Sequence, residues 1–218
     1  MPDLVARYRA WVERNIAQPN ERELLNRAID AYAQARDAAS VTAAQVEPLV
    51  FAAKSRFTRV WETAMELLVP LAPKHAVVRD AMREMLNSKK VNERFNVVAS
   101  LMACVPKSLS MEVIRRALND KGSRVREKAT EAADHLFLNE LLPDLERRLA
   151  FEGSPGAKKA LEFHVAMLRD GYILRREEDG TPRLTVRTKR GWTMPQITQK
   201  DIEDGKLNII VARTKAGD

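Results

Sequence analysis

Between residues 77 and 136 the chain repeats itself, and this internal repeat constrains the fold more than any single segment does. At an offset of 32, Leu86-Asn87 falls on Leu118-Asn119, Arg94 on Arg126 and Val97 on Ala129. An offset of 31 then sets Leu118 on Leu149 and Ala129 on Ala160, while Arg59 and Arg94 stand 35 apart. A period of this size holds two helices and a short turn. One such pair exposes an apolar face that only a neighbouring pair can cover, so about four units are expected to stack on one continuous core.

Composition agrees with a mainly α fold. The chain is 45% hydrophobic and only 6% aromatic with 8 glycines, which disfavours a turn-rich sandwich and favours helices built from Ala, Leu, Val, Met and Arg. Leu4, Tyr8, Trp11, Val12 and Ile16 form an amphipathic stripe that Pro19 and Asn20 end. Asn20 and Glu23 have the spacing of a capping box, which starts a second helix running to Asp37. Pro48 fits best in a first turn, so the next stable helix is expected from Pro48 onward. Phe57, Val60, Trp61, Ala64, Met65 and Leu68 predict a strong helix stopped by Pro70 and Pro73.

The run ALNDKGSRVREKATEAADHL, residues 117–136, resembles one HEAT repeat. It has a first helix ending in Leu, then Asp120, then Val125-Arg126 opening the second helix, then Ala129 and Ala133. The resemblance implies an α-solenoid in which Asp120 and Arg126 are a structural pair, the Arg bracing the turn and linking neighbouring units. Arg94 occupies the corresponding position one repeat earlier, although Ser88 there replaces the Asp, and Ala157 stands where a later Arg would be. The expected organisation is a HEAT-like solenoid over 1–170 and a small β-rich element over 171–218. In that element YILRR, Asp179-Gly180 and RLTVRT form a hairpin, Thr198 through Asp204 a capped helical turn ended by Gly205, and KLNIIVAR (206–213) a third strand.

In HEAT-type stacks the second helices line the concave face. Projection at about 100° per residue puts Arg59, Glu62, Glu66, Asn92, Asn96, Glu127, Glu131, Asp134, Lys159 and Glu162 opposite the apolar stripes. This face has no continuous basic stripe and suits a protein partner of mixed polarity better than duplex DNA. The net charge of +7 is spread thinly along the chain, and its densest basic cluster is Arg183, Arg187, Lys189 and Arg190, with Trp192 beside them as a stacking or anchoring residue. Nucleic-acid binding through that cluster is the alternative function. A HEAT-like DNA-repair glycosylase is a third reading, but the projection gathers no carboxylate and aromatics in a basic groove.

Catalytic signatures are absent: the chain has no GxSxG, P-loop, GxGxxG or HExxH. His135 lies four residues after Glu131, too few ligands for a metal site, and His164 falls on an apolar helix side as a hydrogen-bonded core histidine. Cys104, the only cysteine, precludes an intramolecular disulfide and is expected in the core, as are Trp11 and Trp61. No cofactor or metal is called for. The alternation of charged and apolar residues near the N-terminus does not read as a signal peptide, no run is apolar enough for a membrane span, and a cytoplasmic protein is expected.

Overall fold

The computed structural model describes residues 4–217. Among them 67% of positions are helical, in twelve α-helices joined by a single three-stranded antiparallel sheet near the C-terminus, so the mainly α expectation holds. No helix is long and apolar enough to cross a membrane among the described residues. The chain divides into two compact units, 1–132 and 133–218, so the expected boundary at 170 falls inside the second unit.

The first unit contains α1 (Leu4–Asn15), α2 (Pro19–Asp37), α3 (Ala43–Ala53), α4 (Thr58–Leu68), α5 (Ala76–Leu86), α6 (Val91–Ala99) and α7 (Lys107–Leu118), with most of α8 (Ser123–His135). Helices pack on their sequence neighbours, α2 on α3 and α5 on α6, and on the next but one, α2 on α4, α3 on α5, α4 on α6 and α5 on α7. Leu25 and Ile29 of α2, Leu49 of α3, Met65 and Leu68 of α4, Met82 and Met85 of α5 and Ile114 of α7 are fully buried. Each contributes about 1.5–3 kcal/mol from removal of its side chain from water.

One local device recurs at the turns that lead into α4, α6 and α8. The side chains of Ser55, Ser88 and Asp120 accept a hydrogen bond from the backbone N–H two residues on, at Phe57 (3.1 Å), Lys90 (3.1 Å) and Gly122 (2.7 Å). These residues immediately precede the helices, so the bond satisfies a donor that the helix cannot. Gly122 has a steric reason as well, because a Cβ there would meet Val91 Cγ2 at 2.9 Å. Arginines supply the complementary brace from within the next helix, each reaching six residues back to a loop carbonyl. Arg79 donates to Pro73 O (3.3 Å), Arg94 to Ser88 O (2.8 Å) and Arg126 to Asp120 O (2.8 Å), and Arg22 does the same to Ile16 O (3.1 Å).

Arg94 also grips Asp120 of the following repeat with two parallel bonds, Nε to Oδ2 at 2.6 Å and Nη2 to Oδ1 at 2.9 Å. Both side chains are nearly buried, at 6% and 9% exposed, so the pair is shielded from solvent screening. Burial by itself would raise the Asp120 pKa. The hydrogen bonds from Arg94 and the Gly122 N–H, with the positive charges of Arg94 and Arg126, outweigh it and hold that pKa below its ordinary value. The Ser88 hydroxyl reproduces the turn cap of Asp120 but carries no charge.

Several local expectations are corrected. The helix α2 begins at Pro19, its N-cap is Gln18, and no side chain caps it, so Asn20 lies inside the helix. The true capping box belongs to α3, where Thr42 and Gln45 exchange bonds and start the helix before Pro48, which sits within it. Cys104 is exposed because α6 stops at Ala99 and leaves residues 100–106 in a turn. Trp11 and Trp61 are half-buried, at the margin of the core and not inside it.

The second unit holds α9 (Leu142–Phe151), α10 (Pro155–Arg169), the strands β1 (Tyr172–Arg176), β2 (Pro182–Thr188) and β3 (Gly191–Thr193), and then α11 (Gln199–Glu203) and α12 (Leu207–Ala216). The turn cap appears here again, as Glu152 accepts from the Ser154 N–H (2.9 Å) just before α10. The hairpin forms as expected, with Tyr172 opposite Val186 and Arg176 opposite Pro182, and Gly180 takes the positive φ of 82° that its turn requires. Thr198 caps α11 in a capping box with Asp201, and Gly205 (φ 71°) follows it.

Residues 206–213 are not a strand. A strand would put Leu207, Ile209 and Val211 on one face, but Ile209 is 52% exposed, while Leu207, Ile210 and Val211 pack at helical spacing on Leu184, Val186 and Ile197. The third strand is Gly191–Thr193, which pairs with β2 instead.

Replacing Arg94 with Ala leaves the Asp120 carboxylate buried without its partner and is expected to cost about 3–5 kcal/mol, measured as a lower midpoint in chemical denaturation. Asp120 has a lowered folded pKa, so its contribution is complete above its ordinary value of 3.8 and is lost as the pH falls through the lowered one. An acid titration of Asp120→Asn against wild type is expected to show the two stabilities converging in that acidic window.

Candidate functional site

The sheet of the second unit has two chemically different faces, and strict alternation along β2 decides which residues go where. Leu184, Val186 and Thr188 are buried, with Tyr172 and Leu174 of β1 on the same side against α12. The other side carries Arg183, Thr185 and Arg187 of β2, paired across the ladder with Arg175, Ile173 and Trp192 respectively. The helix α10 packs on β1 and is itself amphipathic. Ala157, Leu161, His164, Val165 and Leu168 are buried, which leaves Lys158, Lys159 and Glu162 exposed.

Beneath that second sheet face lies an ionic cluster. Asp134, fully buried, accepts from His164 Nδ1 at 3.0 Å and from Arg187 Nη1 at 3.2 Å. The Arg187 guanidinium also lies over the Phe137 ring, 5.0 Å from its centroid. Phe137 has a positive φ of 53°, unusual for a bulky residue, at the point where α8 ends and the Leu138 N–H returns to Ala133 O (2.9 Å). Beside the cluster the indole of Trp192 rests on the rings of His135 (4.8 Å), Phe163 (5.2 Å) and His164 (5.5 Å), with 41% of the residue still exposed.

Between α10 and the sheet runs a groove of about 870 Å³. Pro155, Lys158, Lys159, Glu162 and Phe163 form one wall, and Arg175, Arg176, Glu177, Arg183, Thr185, Trp192 and Met194 form the other. Five cations therefore face two carboxylates. Arg183 pairs with Glu177 at 2.7 Å, and Arg176 is held by Gln199 Oε1 (2.8 Å) and Gly180 O (3.1 Å). Among the described residues no carboxylate pairs with Lys158, Lys159, Arg175 or Arg176. Arg175 instead covers the Phe163 ring at 4.8 Å. The groove combines unpaired positive charge with aromatic surface, which suits an anionic ligand carrying flat or apolar groups.

The expected site residues separate accordingly. Lys159, Glu162, Arg183 and Trp192 come together in this groove, and Lys189 and Arg190 are exposed at the turn between β2 and β3. Arg187 does not join them as a free cation, because it is committed to Asp134. Of the residues projected onto an open face, Asp134 is buried, and Asn96 is buried too, donating to Ala53 O (2.9 Å) and Ser55 O (3.2 Å). Glu131 is half-buried and pairs with Lys128 at 2.8 Å, Glu127 is half-buried, and Asn92 is exposed.

Arg59, Glu62 and Glu66 gather in a separate groove of the first unit, about 470 Å³, with Tyr8 and Trp11. Arg59 there donates to Asn15 O (2.7 Å). Burial, reinforced by the charge of Glu66, pushes the Tyr8 hydroxyl up to about 12, so it stays protonated and donates to Glu66 at 3.3 Å. Among the described residues no three His, Cys, Asp or Glu side chains cluster to hold a metal ion.

Lys158, Phe163, Arg175, Arg176 and Met194 were not among the expected site residues. The available signal was the Lys158-Lys159 pair opposite the apolar stripe of α10 and the Arg175-Arg176 pair at the end of β1. No family model, curated protein or solved structure matches the chain.

Asp134→Ala removes the partner of Arg187 and His164 at once and is expected to destabilise the second unit by about 3–5 kcal/mol. Because Arg187 pairs across the ladder with Trp192, tryptophan emission is also expected to shift to the red. Unchanged stability and emission would exclude the cluster as the support of the Trp192 site.

Proposed function

We propose that the chain is a non-enzymatic interaction module built on HEAT-like helix pairs, and that the groove beside α10 takes an anionic partner. The observation that carries this reading is the set of unpaired cations, Lys158, Lys159 and Arg175, on the walls of one concavity. In the first unit Arg83, by contrast, meets Glu112 (2.8 Å) and Asp80 (3.0 Å). The HEAT-like part of the reading is supported by the turn caps at Ser55, Ser88, Asp120 and Glu152, spaced 33, 32 and 32 residues apart, and by the braces of Arg94 and Arg126 that follow two of these turns.

A protein partner on the first unit is the second reading. It is favoured by the mixed charge of the groove that contains Arg59, Glu62 and Glu66, where a surface of complementary polarity would register.

Retention on immobilised heparin tests the anionic reading. A variant with Lys158, Lys159, Arg175 and Arg183 all replaced by Ala is expected to elute at clearly lower salt than one in which Arg7, Arg27, Lys89 and Arg116 of the first unit are replaced. Both variants lose the same charge, so equal elution would mean that net charge alone, and not this groove, governs binding.

A further inference from the structure

Which anion the groove takes follows from its aromatic residues more than from its cations. We propose that it receives a single strand of nucleic acid, with Trp192 as a base-stacking platform and Lys158, Lys159 and Arg175 along the backbone phosphates. The inference rests on reading the groove as an anion site and adds the chemistry of the occupant.

Trp192 is neither a core residue nor a loose surface one. Its ring is in contact with the rings of His135, Phe163 and His164, and the residue, still 41% exposed, borders the groove. A ring fixed in this way loses little side-chain freedom when a base stacks on it. Arg175 lies over the Phe163 ring at 4.8 Å, and a planar guanidinium in that position offers a second surface for stacking together with a charge for phosphate. The acidic side chains of a peptide would satisfy the lysines but offer no aromatic face to the indole, whereas every nucleotide brings both groups.

The shape excludes duplex as the preferred form. Reading a B-form duplex requires a convex helix or ribbon that enters the major groove, whereas these cations stand on the facing walls of a concavity. A single strand lies within such a channel, with phosphates reaching the walls and unstacked bases available to the indole. Every pyrimidine and purine has a π-face, so this geometry predicts little sequence preference.

The test is fluorescence anisotropy with a labelled oligothymidylate of about 12 nucleotides. Wild type is expected to bind with an affinity that falls as salt rises, and the four-residue groove variant is expected to lose that binding. Trp192→Ala should weaken it about 10- to 100-fold, with Trp192→Phe retaining most of it. The same sequence as a duplex is expected to bind at least about 10-fold more weakly. Thermal melts of both Trp192 variants separate loss of stacking from loss of fold.

If oligoglutamate binds in a groove-dependent way and oligothymidylate does not, the single-strand inference is overturned while the anion-binding reading stands. Failure of both probes overturns both. Oligothymidylate binding that is indifferent to Trp192→Ala in a folded variant would overturn the stacking role.

Discussion

The backbone groups exposed at each helix-to-helix turn must find partners without help from the apolar core, and this need is the constraint on which the architecture rests. The chain meets it with a side-chain acceptor just before the second helix and, at several turns, an arginine reaching back from within that helix. Ser88 with Arg94 and Asp120 with Arg126 are two copies of that arrangement. Asp120 goes further, because its carboxylate both caps its own turn and receives Arg94 from the preceding repeat. One residue thus couples the local geometry of a turn to the packing between successive repeats. The apolar contacts supply most of the stabilising energy, but they are not directional. The bidentate ion pair sets the register in which they are made.

In the second unit a buried charge has the organising role. Asp134 is removed from water and compensated by His164 and Arg187, and the pairing of β2 with β3 then places Trp192 next to that cluster. A carboxylate in the interior is expensive unless paired. Its presence accounts for why the most basic stretch of the sequence contributes one of its arginines to the interior and not to the surface. The groove cations that meet no carboxylate come from two separate elements, α10 and β1, which bear no sequence relation to each other. Their convergence is a product of the packing of α10 on β1.

Much of the fold was legible in the sequence where a local rule had no competitor. The helical stripes, the β1–β2 hairpin and the capped turn at Thr198 all follow from spacing and turn chemistry. The misreadings have a common physical cause. Residues 206–213 contain Leu, Ile and Val in a run that fits either period, and contact with Leu184 and Val186 selected the helix. Asn20 has the right spacing for a cap, but Pro19, with its fixed φ, started the helix two residues earlier than that cap would. Asn96 and Asp134 lie opposite an apolar stripe on a helical wheel, yet each is covered by a neighbouring element that the wheel does not contain.

The candidate site divides the same way. Sequence by itself determined the repeat, the helix content, the position of the hairpin and the existence of a basic, tryptophan-containing C-terminal segment, because each depends on residues within a few positions of one another. Tertiary structure alone decided that Arg187 is internal, that Lys158, Lys159 and Arg175 share a groove with Trp192, and that the indole is braced by three rings. Charge and aromatic character belong to individual residues and can be read from the chain. Whether a charge is neutralised, or an aromatic face left open, depends on which distant residue packs beside it.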